Sequence, residues 1–351
     1  MRKELFLPAL LHFFVDFFSV YALFAFHLRS ELGAILILSY DALAFLPQPL
    51  FGALFEKSKH MASLGSLGCL LVIIGALIPE AITAIVFFGI GNAIFHVCEG
   101  KLVLDKSEKS APLGIFISFG SIGLALALSF SNLYLFLSLL FVFIILAILN
   151  CFVPYTKAIP FVYQAKEGHS STLVLALILI VAGVFLRGFF GQYTAYTWPK
   201  NDLSSLNILW VGLAIFFGKV IGGFLLDYFG SIPLIVLSAL LSLLGYFFPS
   251  SLALSLVGVA GVNLLMALTM EFMRRAMPSF TAFGFGLLAA FLLLGYAAGF
   301  ALISYAVFQS WLDPILMVLN AASLIFVYVI LKKDGRQQTA LLGLHPKEGK
   351  A

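Results

Sequence analysis

The strongest constraint on this chain is a series of apolar segments, each about 20 residues long, that recurs from one end to the other. At ~1.5 Å of rise per residue, such a segment is a helix able to cross a hydrocarbon layer ~30 Å thick. The segments fall at 5–26, 33–55, 61–79, 82–104, 112–129, 132–153, 172–195, 204–227, 231–249, 251–272, 279–304 and 310–331. They predict twelve transmembrane spans and an all-α integral membrane protein. The turns inside 61–104 and 231–272 are brief, but each stretch is too long for one crossing and is read as two. A water-soluble alternative fails on composition. Of 351 residues, 62% are hydrophobic and 10% charged, whereas a soluble domain carries ~25% charged residues. The opening MRKELFLPALLHFF begins as a signal peptide does. Its apolar stretch runs on to Phe26, contains Asp16 and lacks a small-residue cleavage site, so it is read as the first span.

Charge placement sets the orientation. If both termini lie on the inner side, 16 of the 20 Lys and Arg fall in inner segments, and only Arg29 and Lys200 in outer loops. The remaining two, Arg187 and Lys219, lie within spans. By the positive-inside rule both ends are cytoplasmic. The chain divides into 1–153, a polar linker 154–171, a second bundle 172–333, and a polar tail 334–351 expected to be poorly ordered. Cys69, Cys98 and Cys151 sit in apolar stretches, and no CxxC or Cys/His spacing suggests a metal. Neither cofactor nor metal is expected. Without a disulfide framework, targeting sequence or glycan-bearing loops, such a chain fits a bacterial cell membrane.

The two halves repeat one another. PQPLFGALFEK (47–57) aligns with GKVIGGFLLDY (218–228) at an offset of 171, matching Gly52 to Gly223, Glu56 to Asp227, and Gln48 to Lys219. The same offset matches Asn92 to Asn263. An offset of 172 matches Phe17, Phe18 and Tyr21 to Phe189, Phe190 and Tyr193, and Glu99 to Glu271. Spans one, two and four therefore correspond to spans seven, eight and ten. An even shift in span number gives both halves the same orientation, a parallel repeat about an axis normal to the membrane.

These residues resemble the major facilitator superfamily. GKVIGGFLLDYFG (218–230) is similar to its loop motif through Gly218, Gly222, Gly223, Asp227 and Gly230, and Gly52 and Glu56 keep part of it in the first half. The resemblance implies the family's fold of twelve spans in two parallel six-helix bundles, with the first and seventh spans facing a central cavity. HFFVDFF (12–18) and GIGNAIFHV (89–97) resemble the fosmidomycin-resistance branch of exporters. The fourth span lacks the Arg of the family's usual motif there. The fifth lacks the Gly-Pro motif of drug–proton antiporters, which argues against drug export. Independently of the family, Gly52, Gly222 and Gly223 let helix backbones approach closely. Asp227 and Glu56 can take hydrogen bonds at a neighbouring helix N-terminus and act as a latch on one access state, or simply pack.

Ionisable groups inside spans are the candidate pathway, because lipid rejects them at a cost of about 2.5–3.5 kcal/mol each. Asp16 lies near the middle of the first span with His12 four residues before it, and Arg187 occupies the seventh. The expectation is that Asp16 and Arg187 share a cavity. Arg187 would neutralise Asp16 or bind an anionic solute, and Asp16 would carry a proton. The competing reading is a fixed salt bridge. Asn92, His96 and Glu99 form one helical stripe, with Glu99 alternatively reaching the inner interface to pair with Lys101 or Lys106. Lys219 sits well inside the eighth span, and Gln192 and Tyr193 belong to its predecessor's aromatic outer end. No nucleotide motif, HExxH or GxSxG is present. The chain is read not as an enzyme but as a monomeric secondary transporter of a small organic solute, coupled to protons or another ion, without nucleic-acid partners. The alternative is a receptor or assembly subunit on the same fold.

Overall fold

A computed structural model describes residues 5–27, 33–129, 132–154, 170–197, 205–302 and 312–341. Every regular element among them is helical. The first half comprises α1 (Phe6–Ala22, continued by a π turn Leu23–His27), α2 (Gly33–Phe45), α3 (Gln48–Phe55), α4 (Met61–Leu77), α5 (Ala81–Lys106), α6 (Ala111–Ser129) and α7 (Leu133–Asn150). The second comprises α8 (Ser170–Thr197), α9 (Ser205–Phe229), α10 (Ser231–Phe247), α11 (Leu252–Asn263), α12 (Met266–Ala276), α13 (Thr281–Leu302) and α14 (Leu312–Leu341).

Among the described residues, ten helical segments are long and apolar enough to cross a membrane, with α2–α3 and α11–α12 each counting as one. The apolar helices α4 and α10, 17 residues apiece, complete the twelve. The two stretches read as pairs of helices are indeed paired, turning at Ile78–Glu80 and Phe248–Ser251. The second span breaks at Leu46–Pro47, where Pro47 and Pro49 remove backbone donors. The Gln48 side chain donates to the Ala44 carbonyl at 2.8 Å across this break. The tenth span breaks at Leu264–Leu265, which the apolar pattern gave no reason to expect. At the other end of the chain, α14 runs on through the start of the expected tail to Leu341. The linker residues 155–169 lie outside the described set.

The halves meet through two equivalent seams. In one, α6 of the first half packs on α9 of the second; in the other, α13 packs on α3. Both rely on missing side chains. A Cβ at Gly223 would lie 2.9 Å from the Ser110 carbonyl oxygen and 3.2 Å from Gly114 Cα. One at Gly52 would lie 2.5 Å from the Ala282 oxygen. Small residues thus replace the hydrophobic driving force that lipid cannot supply. Gly222 faces the other way, where a Cβ would come 2.1 Å from the Leu264 oxygen and 2.8 Å from its Cα. Because that obstacle is backbone, Gly222→Ala is expected to lower stability by about 1–3 kcal/mol. The check is a lower melting temperature of the purified protein. Gly230, at φ 78°, lets the chain reverse between α9 and α10.

Candidate functional site

Polar side chains gather inside the first half, between α1, α2, α5 and α6. His12 and Asp16 are one turn apart on the inner face of α1, with His12 Nε2 3.2 Å from Asp16 Oδ2. From α5, Asn92 Nδ2 donates to Asp16 Oδ1 and approaches Tyr40 Oη, each at 3.0 Å. His96, one turn further along α5, sets its Nε2 2.7 Å from His12 Nε2. Each ring is anchored at its far nitrogen: His12 Nδ1 donates to the Phe116 carbonyl of α6, and His96 Nδ1 to the Asn92 carbonyl. His12, Asn92 and His96 are buried, while the Asp16 side chain keeps 21% of its surface accessible. The carboxylate therefore borders open space within the bundle rather than solid packing.

The fixed salt bridge between Asp16 and Arg187, the competing reading, does not form. Arg187 is buried in α8, and its Nη1 donates to Thr269 Oγ1 of α12 at 2.8 Å. Among the described residues its Nη2 has no hydrogen-bond partner, and neither has the nearby Asn320 Oδ1. Both residues line a cavity of about 20 Å³ together with Ser238 and Ser242, room for one or two waters. Lys219 crosses the α6–α9 seam to donate to Ser121 Oγ (2.7 Å) and the Ile117 carbonyl (3.2 Å), within Coulombic range of both Asp16 and Arg187. At the offset of 172 that relates the first and seventh spans, Arg187 lies one residue before the repeat position of Asp16. The two halves therefore present unlike charges from equivalent helices, with Lys219 in range of both.

Glu99 departs from both readings of the stripe. It neither joins His96 at Asp16 nor reaches the interface. It is fully buried against α4 and α7, where Asn150 Nδ2 donates to its Oε1 at 2.6 Å and Gly65 makes room for it. It lies on the same stripe two turns beyond Asn92, where the helices packed against α5 are α4 and α7. Lys101 is also not its partner. It is buried and bridges Glu56 (2.7 Å), Asp105 (3.0 Å) and Thr281 Oγ1 (2.9 Å).

A second assembly lies at the basic end of the bundle, where Lys57, Lys59, Lys109 and Arg275 are exposed. Glu56 Oε2, at the end of α3, accepts from the Ala282 and Phe283 amides at 2.9 and 3.0 Å, capping the N-terminus of α13. Asp227, near the end of α9, accepts from the Ser110 and Ala111 amides at 2.7 and 2.9 Å, capping α6. Each carboxylate belongs to one half and each capped helix to the other. Free amides and the helix dipole make such ends natural anion sites. Arg274 adds a third tie, donating to the Leu104 and Ser107 carbonyls at the end of α5. The sequence pattern identified the carboxylates but missed Lys101, Arg274, Thr269 and Asn150. The two cations read as flanking charge, and a lone Thr or Asn carries no pattern. The side chains of Gln192 and Tyr193 lie outside the described residues.

No family model and no curated protein matches the sequence. The fold does match solved structures. A variant of the E. coli fucose:proton symporter FucP is 12% identical, superposes with a TM-score of 0.62, and covers 94% of this chain and 99% of its own. A second FucP structure, described as a major facilitator superfamily transporter in the outward conformation, gives the same values. The chain thus has the major facilitator fold. At this identity the likeness does not distinguish branches within it.

Proposed function

We propose that the chain is a secondary active transporter that moves a small organic solute across a membrane by alternating access between its two six-helix halves. The observation carrying this reading is the reciprocal clasp at the basic end. Glu56 caps a helix of the second half and Asp227 a helix of the first. Both contacts are short, charge-assisted and confined to one end, so they can break together as the halves rock. By the positive-inside rule that end is cytoplasmic, and the conformation is closed towards the cytoplasm.

Arg187 supports an anionic solute. A buried guanidinium with a neutral Thr partner and an unpartnered Nη2 beside a cavity is suited to a carboxylate. FucP is a fucose:proton symporter, and coupling to the proton gradient is proposed here by that analogy. The protein would act as a monomer in a bacterial cell membrane, since each chain carries both halves. The test is reconstitution in liposomes under an imposed proton gradient, with labelled small carboxylates outside. Gradient-dependent uptake and counterflow of at least one carboxylate are expected. A folded, correctly inserted protein that binds a solute in a thermal-shift screen yet gives no counterflow of it is a receptor instead.

A further inference from the structure

The hydrogen bonds around His12 and His96 fix where their ring protons lie. A carbonyl oxygen can only accept, so the Nδ1 atoms facing the Phe116 and Asn92 carbonyls at 2.7 and 3.0 Å both carry hydrogen. In neutral rings each Nε2 then presents a bare lone pair. Those two lone pairs face one another at 2.7 Å across rings set at 89°. Asp16 brings a third acceptor, its Oδ2, to 3.2 Å from His12 Nε2. Three acceptors converging on one point repel unless a cation stands among them.

We propose that His12, Asp16 and His96 bind a divalent transition-metal ion of the zinc class in the middle of the first half. The ion's place in transport rests on the function proposed above; its binding does not. Two imidazoles and one carboxylate are the donors such ions take. The three donor atoms all lie within 4.8 Å of one another. Around a tetrahedral ion with bonds of ~2.0–2.1 Å, donors stand roughly 3.3 Å apart, so the histidine pair must open slightly and Asp16, whose Oδ1 is 4.0 Å from His96 Nε2, must draw closer to His96. The supports of a metal site are also in place. Both rings donate Nδ1–H to backbone carbonyls, and Asn92 holds the other Asp16 oxygen at 3.0 Å. Gly120 of α6 keeps the coordination point open: a Cβ there would fall 2.2 Å from Asp16 Oδ2 and 2.3 Å from His12 Nε2. Three protein ligands leave a fourth position for water or a donor atom of the solute, the pattern of an exchanging site rather than a closed structural one. The sequence expectation of no metal came from the absence of short Cys/His spacings. Here one histidine is supplied 84 residues from the other, by a different helix.

The test uses the purified full-length protein in detergent, titrated with Zn²⁺ by calorimetry and with Co²⁺ by visible absorption. One ion per chain is expected, with Co²⁺ showing the intense visible bands of a tetrahedral site. His96→Ala is expected to weaken binding at least 100-fold. Gly120→Ala, which leaves every ligand in place but fills the gap, is expected to weaken it at least tenfold. Asn92→Ala, which removes only a support, provides a further reading if His96→Ala does not fold. The proposal is overturned if Zn²⁺ does not bind the folded wild-type protein. It is equally overturned if Zn²⁺ binds a His12→Ala/His96→Ala chain as well as the wild type, which would mean an adventitious ion only; the histidine pair then shares a proton. Either result leaves the transport reading standing, because counterflow is measured without added metal. Zinc binding without any counterflow removes transport and keeps the site.

Discussion

A Glu56→Gln/Asp227→Asn chain is expected to open at the basic end. Each carboxylate takes two backbone amide hydrogen bonds at a helix N-terminus of the opposite half. A hydrogen bond to a charged group contributes ~1.5–3 kcal/mol. If neutralisation costs each site about that much, the pair shifts the equilibrium between access states by roughly 100- to 10,000-fold. The readout is a cysteine at Ser110, buried beside the Asp227 carboxylate, in a background lacking Cys69, Cys98 and Cys151. A membrane-impermeant maleimide should modify it slowly in the parent and at least tenfold faster in the double variant. Single variants should fall between, since each clasp alone still joins the halves. Unchanged labelling in a folded double variant would reduce the clasp to packing. Lys101 is unsuitable for this test. Its removal leaves Glu56 and Asp105 buried without their shared cation, and such losses unfold proteins rather than open them.

The second large effect is expected at Arg187. Its guanidinium is buried and bonded to the Thr269 hydroxyl, with no carboxylate in ion-pair range among the described residues. Holding a charge at such depth costs about 2.5–3.5 kcal/mol. Methionine has similar length and none of that cost. Arg187→Met should therefore raise the melting temperature of the solute-free protein. The same substitution should lower affinity for the transported carboxylate at least ~100-fold, because two charge-assisted hydrogen bonds are lost. Opposite signs for stability and binding distinguish a solute anchor from a structural arginine. A variant that melts lower yet transports normally would place Arg187 in the fold alone. Lysine is a poor substitute at this position, since one point charge cannot reproduce a two-pronged contact.

The sequence by itself determined how many times the chain crosses, since lipid permits only closed backbone hydrogen bonding and helix length follows from bilayer thickness. It also determined the repeat, and through the repeat the clasp. Gly52 with Glu56 and Gly223 with Asp227 recur at fixed spacing because each pair serves the same contact in its own half. Pro47 marked the break in the second span for a covalent reason, its missing donor.

Only the tertiary structure decided which polar group meets which. The spacing of His12 and Asp16 along α1 was legible, but not that His96 would close on them, nor that Glu99, three residues beyond it, would turn to Asn150 instead. The same holds for Lys101, which reads as an interface charge and is a buried bridge. A helix's own periodicity says which residues share a face. Which neighbour that face meets is set by how close the backbones come, and so by glycines at positions such as 120, whose importance lies in the atoms of another helix.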